Sequence, residues 1–152
     1  AAIARSFDNG IEFFSTFGGS TLSCRVGTEV LRIVDEEGLQ ASAMAAGAKL
    51  LAGLRELQQR HPVIGDVRGI GLFVGVDLVT DRATRTPATR AARYVKNRLR
   101  QERILIGTEG PDDNVLKIRP PLTVDADDIE HLIERLDLVL SEAPASSLAT
   151  AP

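Results

Sequence analysis

Apolar residues fall three or four apart from Leu22 through Val26, Val30, Ile33 and Val34, which predicts a helix with one apolar face that ends at Gly38. A second helix follows at once. Its seam is Met44, Leu50, Leu51, Leu54 and Leu57 in an Ala- and Leu-rich stretch. It stops before Pro62, which disfavours helical geometry in the residue ahead of it. From Ile70 the period changes to two. Ile70, Leu72, Val74, Val76 and Leu78 alternate with Gly71, Phe73, Gly75, Asp77 and Val79, the pattern of one strand buried on at least one face. The glycines leave room on the other face for a neighbouring backbone or side chain.

A third helix is predicted from Pro87, which suits a first helical position, through Ala91, Tyr94, Val95 and Leu99. Short strands are expected at Ile104–Ile106 and Val115–Ile118, on either side of the turn-forming residues 107–114. The last helix carries Ile129, Leu132, Ile133, Leu136, Val139 and Leu140 at helical spacing. Asp125, Asp127 and Asp128 crowd its start, where carboxylates cap free amides and gain about 0.3–1 kcal/mol each from the helix dipole. The fold class is therefore mixed α and β: a short, mainly antiparallel sheet covered by helices. Residues 143–152 are small residues, Ser and Pro without apolar period, which reads as a disordered tail. Residues 1–21 hold Phe7, Phe13, Phe14 and Phe17 without helical period, a segment that wants a partner surface.

Composition narrows the classes of function. A chain of 152 residues can bury roughly 70% of its unfolded surface, so no disulfide or metal staple is needed. One Cys and two distant His residues make neither a disulfide framework nor a metal cluster, and a reducing cytoplasm is the expected location. No apolar run reaches the roughly 18 residues of a membrane span, and the first residues lack the layout of a secretion signal. A net charge of -3, with Arg interleaved among acids and few aromatic residues, speaks against a nucleic-acid partner.

Two segments have the makings of an anion site. Ser15-Thr16-Phe17-Gly18-Gly19-Ser20 joins hydroxyls and a glycine pair to the start of a helix, although the same residues also suit a plain turn with Ser20 or Thr21 as the helix cap. In Val115-Leu116-Lys117-Ile118-Arg119-Pro120-Pro121, a strand puts Lys117 and Arg119 on one face and Leu116 and Ile118 on the other. That arrangement is either an anion receptor or a solvated strand edge guarded by charges. Asp66 and Arg68 share one side of an extended segment, where they can ion-pair near a turn. His61 and His131 read as solvated side chains and Cys24 as a buried small hydrophobe. No complete catalytic set is present among these residues.

Taken in order, Phe14-Ser15-Thr16-Phe17-Gly18-Gly19, Arg68-Gly69-Ile70-Gly71-Leu72 and Val115-Leu116-Lys117-Ile118-Arg119-Pro120-Pro121-Leu122 resemble the carboxy-terminal part of class III pyridoxal-phosphate-dependent aminotransferases. The resemblance runs from about Ile3 to Glu142. Asn9-Gly10-Ile11-Glu12-Phe13-Phe14, Ile64-Gly65-Asp66-Val67-Arg68-Gly69 and Arg85-Thr86-Pro87-Ala88-Thr89 resemble in particular the branch containing ethanolamine-phosphate phospho-lyase.

The resemblance implies the small domain of a fold-type I enzyme at residues 38–142, an inter-domain helix at 22–37, and the end of the large cofactor-binding domain at 1–21. It implies pyridoxal phosphate as cofactor, with its phosphate bound by Thr16, supported by Ser15, across the interface of a homodimer. It implies a small-molecule amine or amino acid as substrate, acting through an external aldimine. Lys117 and Arg119 would then be substrate-binding residues. The family usually has Arg at the place of Lys117, gripping an α-carboxylate, and a Lys is a point charge of different geometry. The phospho-lyase branch resembles this chain in carrying Lys there, which suits an amine lacking that carboxylate. The family's usual Asn-Pro after the glycine pair is replaced by Ser20-Thr21. Its Schiff-base lysine lies upstream: Lys49, Lys96 and Lys117 occupy none of its positions, so the isolated segment is expected to be inactive. The alternative reading is a non-enzymatic α+β module that dimerises through its Phe-rich arm.

Overall fold

The structure is a computed structural model that describes residues 2–12 and 14–142, so the tail at 143–152 lies outside the described residues. The chain divides into two compact units, Ala1–Glu37 and Gly38–Pro152. In the first unit, α1 spans Ala2–Phe7, a short helix that the sequence pattern does not announce, and α2 spans Thr21–Glu36. Ser20 is the N-cap of α2, its hydroxyl accepting a hydrogen bond from the Ser23 amide at 3.3 Å. Arg32 pairs with Glu29 and Glu36 one turn to either side. Neither helix buries a residue, and Cys24 is exposed, contrary to the buried site expected for it.

The second unit starts at Gly38, whose φ of +61° is the left-handed conformation that ends one helix and starts the next. The helix α3 runs over Leu39–Arg60 and is followed by β1 at Ile64–Ile70, β2 at Phe73–Asp81 and β3 at Thr86–Pro87. Then come α4 at Thr89–Gln101, β4 at Gly107–Glu109, β5 at Val115–Ile118 and α5 at Ala126–Ser141. The sheet has the order β1-β2-β5-β4, with β3 pairing to β2, and every ladder is antiparallel. On one face α3, α4 and α5 bury Leu50, Leu54, Val95, Leu99, Leu136 and Leu140 against Val67, Val74, Val76, Leu116 and Ile118. Asp125 caps α5 by accepting from the Asp128 amide at 2.9 Å. Among the described residues no helix is long and apolar enough to cross a membrane.

Three boundaries differ from the sequence pattern, each for a local reason. The alternation at 70–79 is not one strand but the turn and second arm of a hairpin. Ile70 pairs with Phe73 across Gly71-Leu72, and Gly71 takes a φ of +52°, which a glycine at the first loop position supplies without strain. The strand preceding it, β1, is polar on its outer side and so shows no strong apolar period. Pro87 lies in β3 opposite Val79 rather than at the first position of α4, which begins two residues later. Ile104–Ile106 is not a strand, and pairing starts instead at Gly107. Arg103, with φ +64°, ends α4 by turning the Ile104 amide back onto the Leu99 carbonyl at 2.9 Å, and Ile104 and Ile106 pack on the core as loop.

The end of α3 is held by two devices. Arg82 Nε donates to the carbonyls of Pro62 at 3.1 Å and Ile64 at 3.0 Å, and its terminal nitrogen donates to those of His61, at 2.9 Å, and Gln58. His61 is not solvated as expected: its side chain is 12% exposed, with Nε2 2.5 Å from Asp137 Oδ1. Arg60 donates to the other Asp137 oxygen at 2.6 Å. Burial pushes the Asp137 carboxyl up, but the hydrogen bonds from His61 and Arg60 together outweigh it and hold the group below its ordinary range.

Two outcomes are expected. A methyl group at Gly47 would drive into the Gly71 carbonyl, so Gly47→Ala should cost about 1–3 kcal/mol by urea unfolding despite the helix propensity it gains. Asp137 has a depressed folded-state pKa, so its contribution is complete above the ordinary carboxylate range and lost as pH falls. Thermal midpoints between about pH 6 and 2 should fall less steeply for Asp137→Asn than for the natural chain.

Candidate functional site: the open face of the sheet

Within the second unit the face of the sheet opposite the helices carries the charged groups. The register sets Arg68, Gly75, Lys117 and Gly107 abreast across β1, β2, β5 and β4. The next row on that face is Asp66, Asp77, Val115 and Glu109. Directly opposed residues share a face. Since Val67, Val76 and Leu116 form the buried row between them, both charged rows point away from the core. Between these side chains lies a groove of about 430 Å³, lined by Arg68, Phe73, Gly75, Glu109, Val115 and Lys117. Gly75, with no side chain, is its floor between the two cations.

The open face as a whole is close to electrically balanced. Arg68 donates to Asp66 at 2.7 Å and stands 3.6 Å from Asp77, so the expected pair near the turn is present and has a second acid. The hydrogen bond to Asp66, with Asp77 adding to it, raises the Arg68 pKa further against the opposing effect of burial. Asp77 is itself fixed by Asn114, a buried side chain whose amide donates to Asp77 at 2.5 Å and to the Leu78 carbonyl at 2.9 Å. Lys117 forms an ion pair with Glu109. Its stem passes over Gly107, where a Cβ would stand 3.3 Å from Lys117 Cε. Arg119 follows β5 with its guanidinium 5.7 Å above the centre of the Phe73 ring, and among the described residues it has no carboxylate partner.

The strand bearing Lys117 lies between β2 and β4, so the edge-strand reading of its charges does not hold. Sequence reading missed Glu109, Asp77 and Asn114. Their signal was the hairpin itself: with 110–114 as a tight loop, Glu109 falls on the same face as Lys117.

The first unit holds the other candidate. Its loop from Phe14 to Ser20 is closed by the Gly18 amide donating to the Ser15 hydroxyl at 2.9 Å. Gly18 permits that approach, since a Cβ there would stand 2.7 Å from Ser15 Oγ, and Gly19 takes a φ of +83°. Thr16 is exposed, and its hydroxyl makes no hydrogen bond among the described residues. A hydroxyl with free donor and acceptor capacity on a tight loop suits an anionic oxygen. Phe14 and Phe17 beside it are 84% and 71% exposed. His131 is exposed and unengaged with either candidate.

The class-III aminotransferase profile matches residues 1–140. A Drosophila melanogaster protein named alanine–glyoxylate aminotransferase 2-like is 41% identical over 155 residues, covering 98% of this chain. Among solved structures, a phospholyase from Arthrobacter in complex with phosphoethanolamine superposes with a TM-score of 0.83 and 36% identity over 93% of this chain. An amine transaminase from an uncultivated Pseudomonas species in its PLP-bound form gives 0.76 and 32% over 86%. The chain spans 31% of the Drosophila protein and 34% and 30% of the two solved chains.

The Asn114 amide ties the start of β5 to Asp77 and the Leu78 carbonyl of β2, so Asn114→Ala should lower stability by about 1–3 kcal/mol, read as a shifted urea midpoint.

Proposed function

The chain belongs to the class-III aminotransferases, and from that premise we propose that it is the carboxy-terminal part of a pyridoxal-phosphate enzyme acting as a phospho-lyase on a phosphorylated amine. In this reading residues 1–21 end the large cofactor domain, 22–37 link it, and 38–142 are the small domain. The observation that carries the substrate is Lys117, lining the groove where an Arg would suit an α-carboxylate. An ammonium has three donors and no fixed fork, which matches the oxygens of a phosphoryl group better than the plane of a carboxylate. Likeness to a phospholyase solved with phosphoethanolamine supports the same class.

The residues of the Phe14–Ser20 loop fit the phosphate end of pyridoxal phosphate: Thr16 offers an uncommitted hydroxyl, and Ser15 holds the loop closed. When bound, that cofactor supplies an electron sink for the carbon bearing the substrate's amine. Within this chain, Thr16 with Ser15 holds the cofactor's phosphate, and Lys117 with Arg119 binds and orients the substrate's anionic end. A homodimer, in which Thr16 serves the neighbouring subunit's site, belongs to the proposal, and the exposed Phe14 and Phe17 are surfaces suited to such contact. Cys24, exposed and outside any disulfide, fits a reducing compartment such as the cytoplasm. The named relatives are aminotransferases and a phospholyase, which gives no support to a non-enzymatic module.

The test is release of inorganic phosphate from phosphoethanolamine by the full-length protein with pyridoxal phosphate and no keto acid. Sustained release is expected, with Lys117→Ala raising KM roughly tenfold, about 1.4 kcal/mol of lost binding. Turnover only when a keto acid is supplied would make the protein a transaminase instead.

A further inference from the structure

We propose that Glu109 is an internal competitor for Lys117, and so a specificity-determining and phosphate-releasing residue of the open-face groove. This deepens the reading of Lys117 as the substrate's anion partner and rests on it. The geometry is direct. Lys117 and Glu109 sit on the two arms of the β4–β5 hairpin, two residues off directly opposite and so diagonal neighbours on one face, and both line the groove. Gly107, directly opposite Lys117, leaves the channel through which the lysine stem runs toward Glu109. The other acids of this face are engaged elsewhere: Asp66 by Arg68, and Asp77 by Arg68 and Asn114. Glu109 is therefore the counter-charge of Lys117 among the described residues.

An anion arriving in the groove must share or displace that carboxylate. The cost scales with the charge of the arriving group, because each unit of negative charge near Glu109 meets the same repulsion. A phosphoryl group with nearly two charges is affected most, a carboxylate less, and a neutral amine not at all. The consequence is twofold. Glu109 narrows the groove's preference for anionic over neutral amines, and it keeps Lys117 from retaining inorganic phosphate after elimination. Glu109 is itself 55% exposed against 26% for Lys117, so the carboxylate can be neutralised without opening the core.

The experiment uses the full-length protein loaded with cofactor and the variant Glu109→Gln. Dissociation constants for inorganic phosphate are measured by calorimetry, KM for phosphoethanolamine by phosphate release, and inhibition constants of β-alanine and propylamine by competition with that turnover. Glu109→Gln should tighten inorganic phosphate roughly three- to fivefold, the range of a half-exposed ion pair, and lower the KM of phosphoethanolamine most and the inhibition constant of β-alanine less, with that of propylamine unchanged. Glu109→Asp should restore natural values. In the Lys117→Ala background the Gln substitution should have a smaller effect on phosphate affinity, since competition for the lysine is gone and only direct repulsion remains. Unchanged or weaker phosphate binding in Glu109→Gln, or a propylamine inhibition constant that moves with the anions, overturns the proposal. If the natural enzyme releases no phosphate from phosphoethanolamine yet Glu109→Gln still tightens inorganic phosphate, the phospho-lyase reading fails and the competitor role stands. If turnover is present and phosphate affinity does not respond, the competitor role alone fails.

Discussion

The register of β2 between β1 and β5 is the constraint from which the rest of the second unit follows. It sets Val67, Val76 and Leu116 in one buried row and Arg68, Gly75 and Lys117 in the neighbouring row on the opposite face. A slip of one residue would carry the valines and Leu116 into solvent and the two cations into the core. Burying a valine or leucine side chain is worth about 1.5–3 kcal/mol, whereas an unpaired charge in that core costs far more. Core packing and the charged groove are thus two faces of one pairing decision, and neither can be altered without the other.

Glycines mark where this arrangement needs space. Gly47 on α3 lets the helix meet the Gly71 turn at backbone distance, which seats α3 over β1 and β2. Gly75 leaves the floor of the groove bare between its cations, and Gly107 gives Lys117 a path along the sheet. At the far end of α3, Arg82 gathers the carbonyls of Gln58, His61, Pro62 and Ile64. The helix is thereby tied at its end to the strand whose register defines the groove.

The charges of the open face are instructive because they nearly cancel. Arg68 and Lys117 meet Asp66, Asp77 and Glu109, and Arg119, outside the groove lining and without a carboxylate partner among the described residues, rests on the Phe73 ring instead. A bare cluster of cations would hold any passing anion and release it slowly. A balanced one binds through competition. The loop around Thr16 in the first unit has a different character, a free hydroxyl on a tight turn with no nearby charge needed to hold it.

Periodicity alone located α2, α3, α5 and β5 and identified the apolar faces they carry, because side-chain spacing records which side of a helix or strand is apolar. The motifs around Thr16 and Lys117 were legible too, as residue types suited to anions in an order typical of one family. Period two could not reveal that 70–79 begins with a turn, since Ile70 is apolar and in phase with Leu72 and Val74, yet the two-residue loop puts it on the open face opposite Phe73. Nor could it show that Pro87 pairs with Val79, or that Ile104 and Ile106 pack as loop, for both depend on contacts distant in sequence. Tertiary structure alone decided the partners of each charge. Asp77 meets Asn114 from 37 positions away, His61 meets Asp137 from 76, and Glu109 reaches Lys117 only once their hairpin is closed. Local sequence determines which face a side chain takes; what it finds there is fixed by which strand comes to lie alongside.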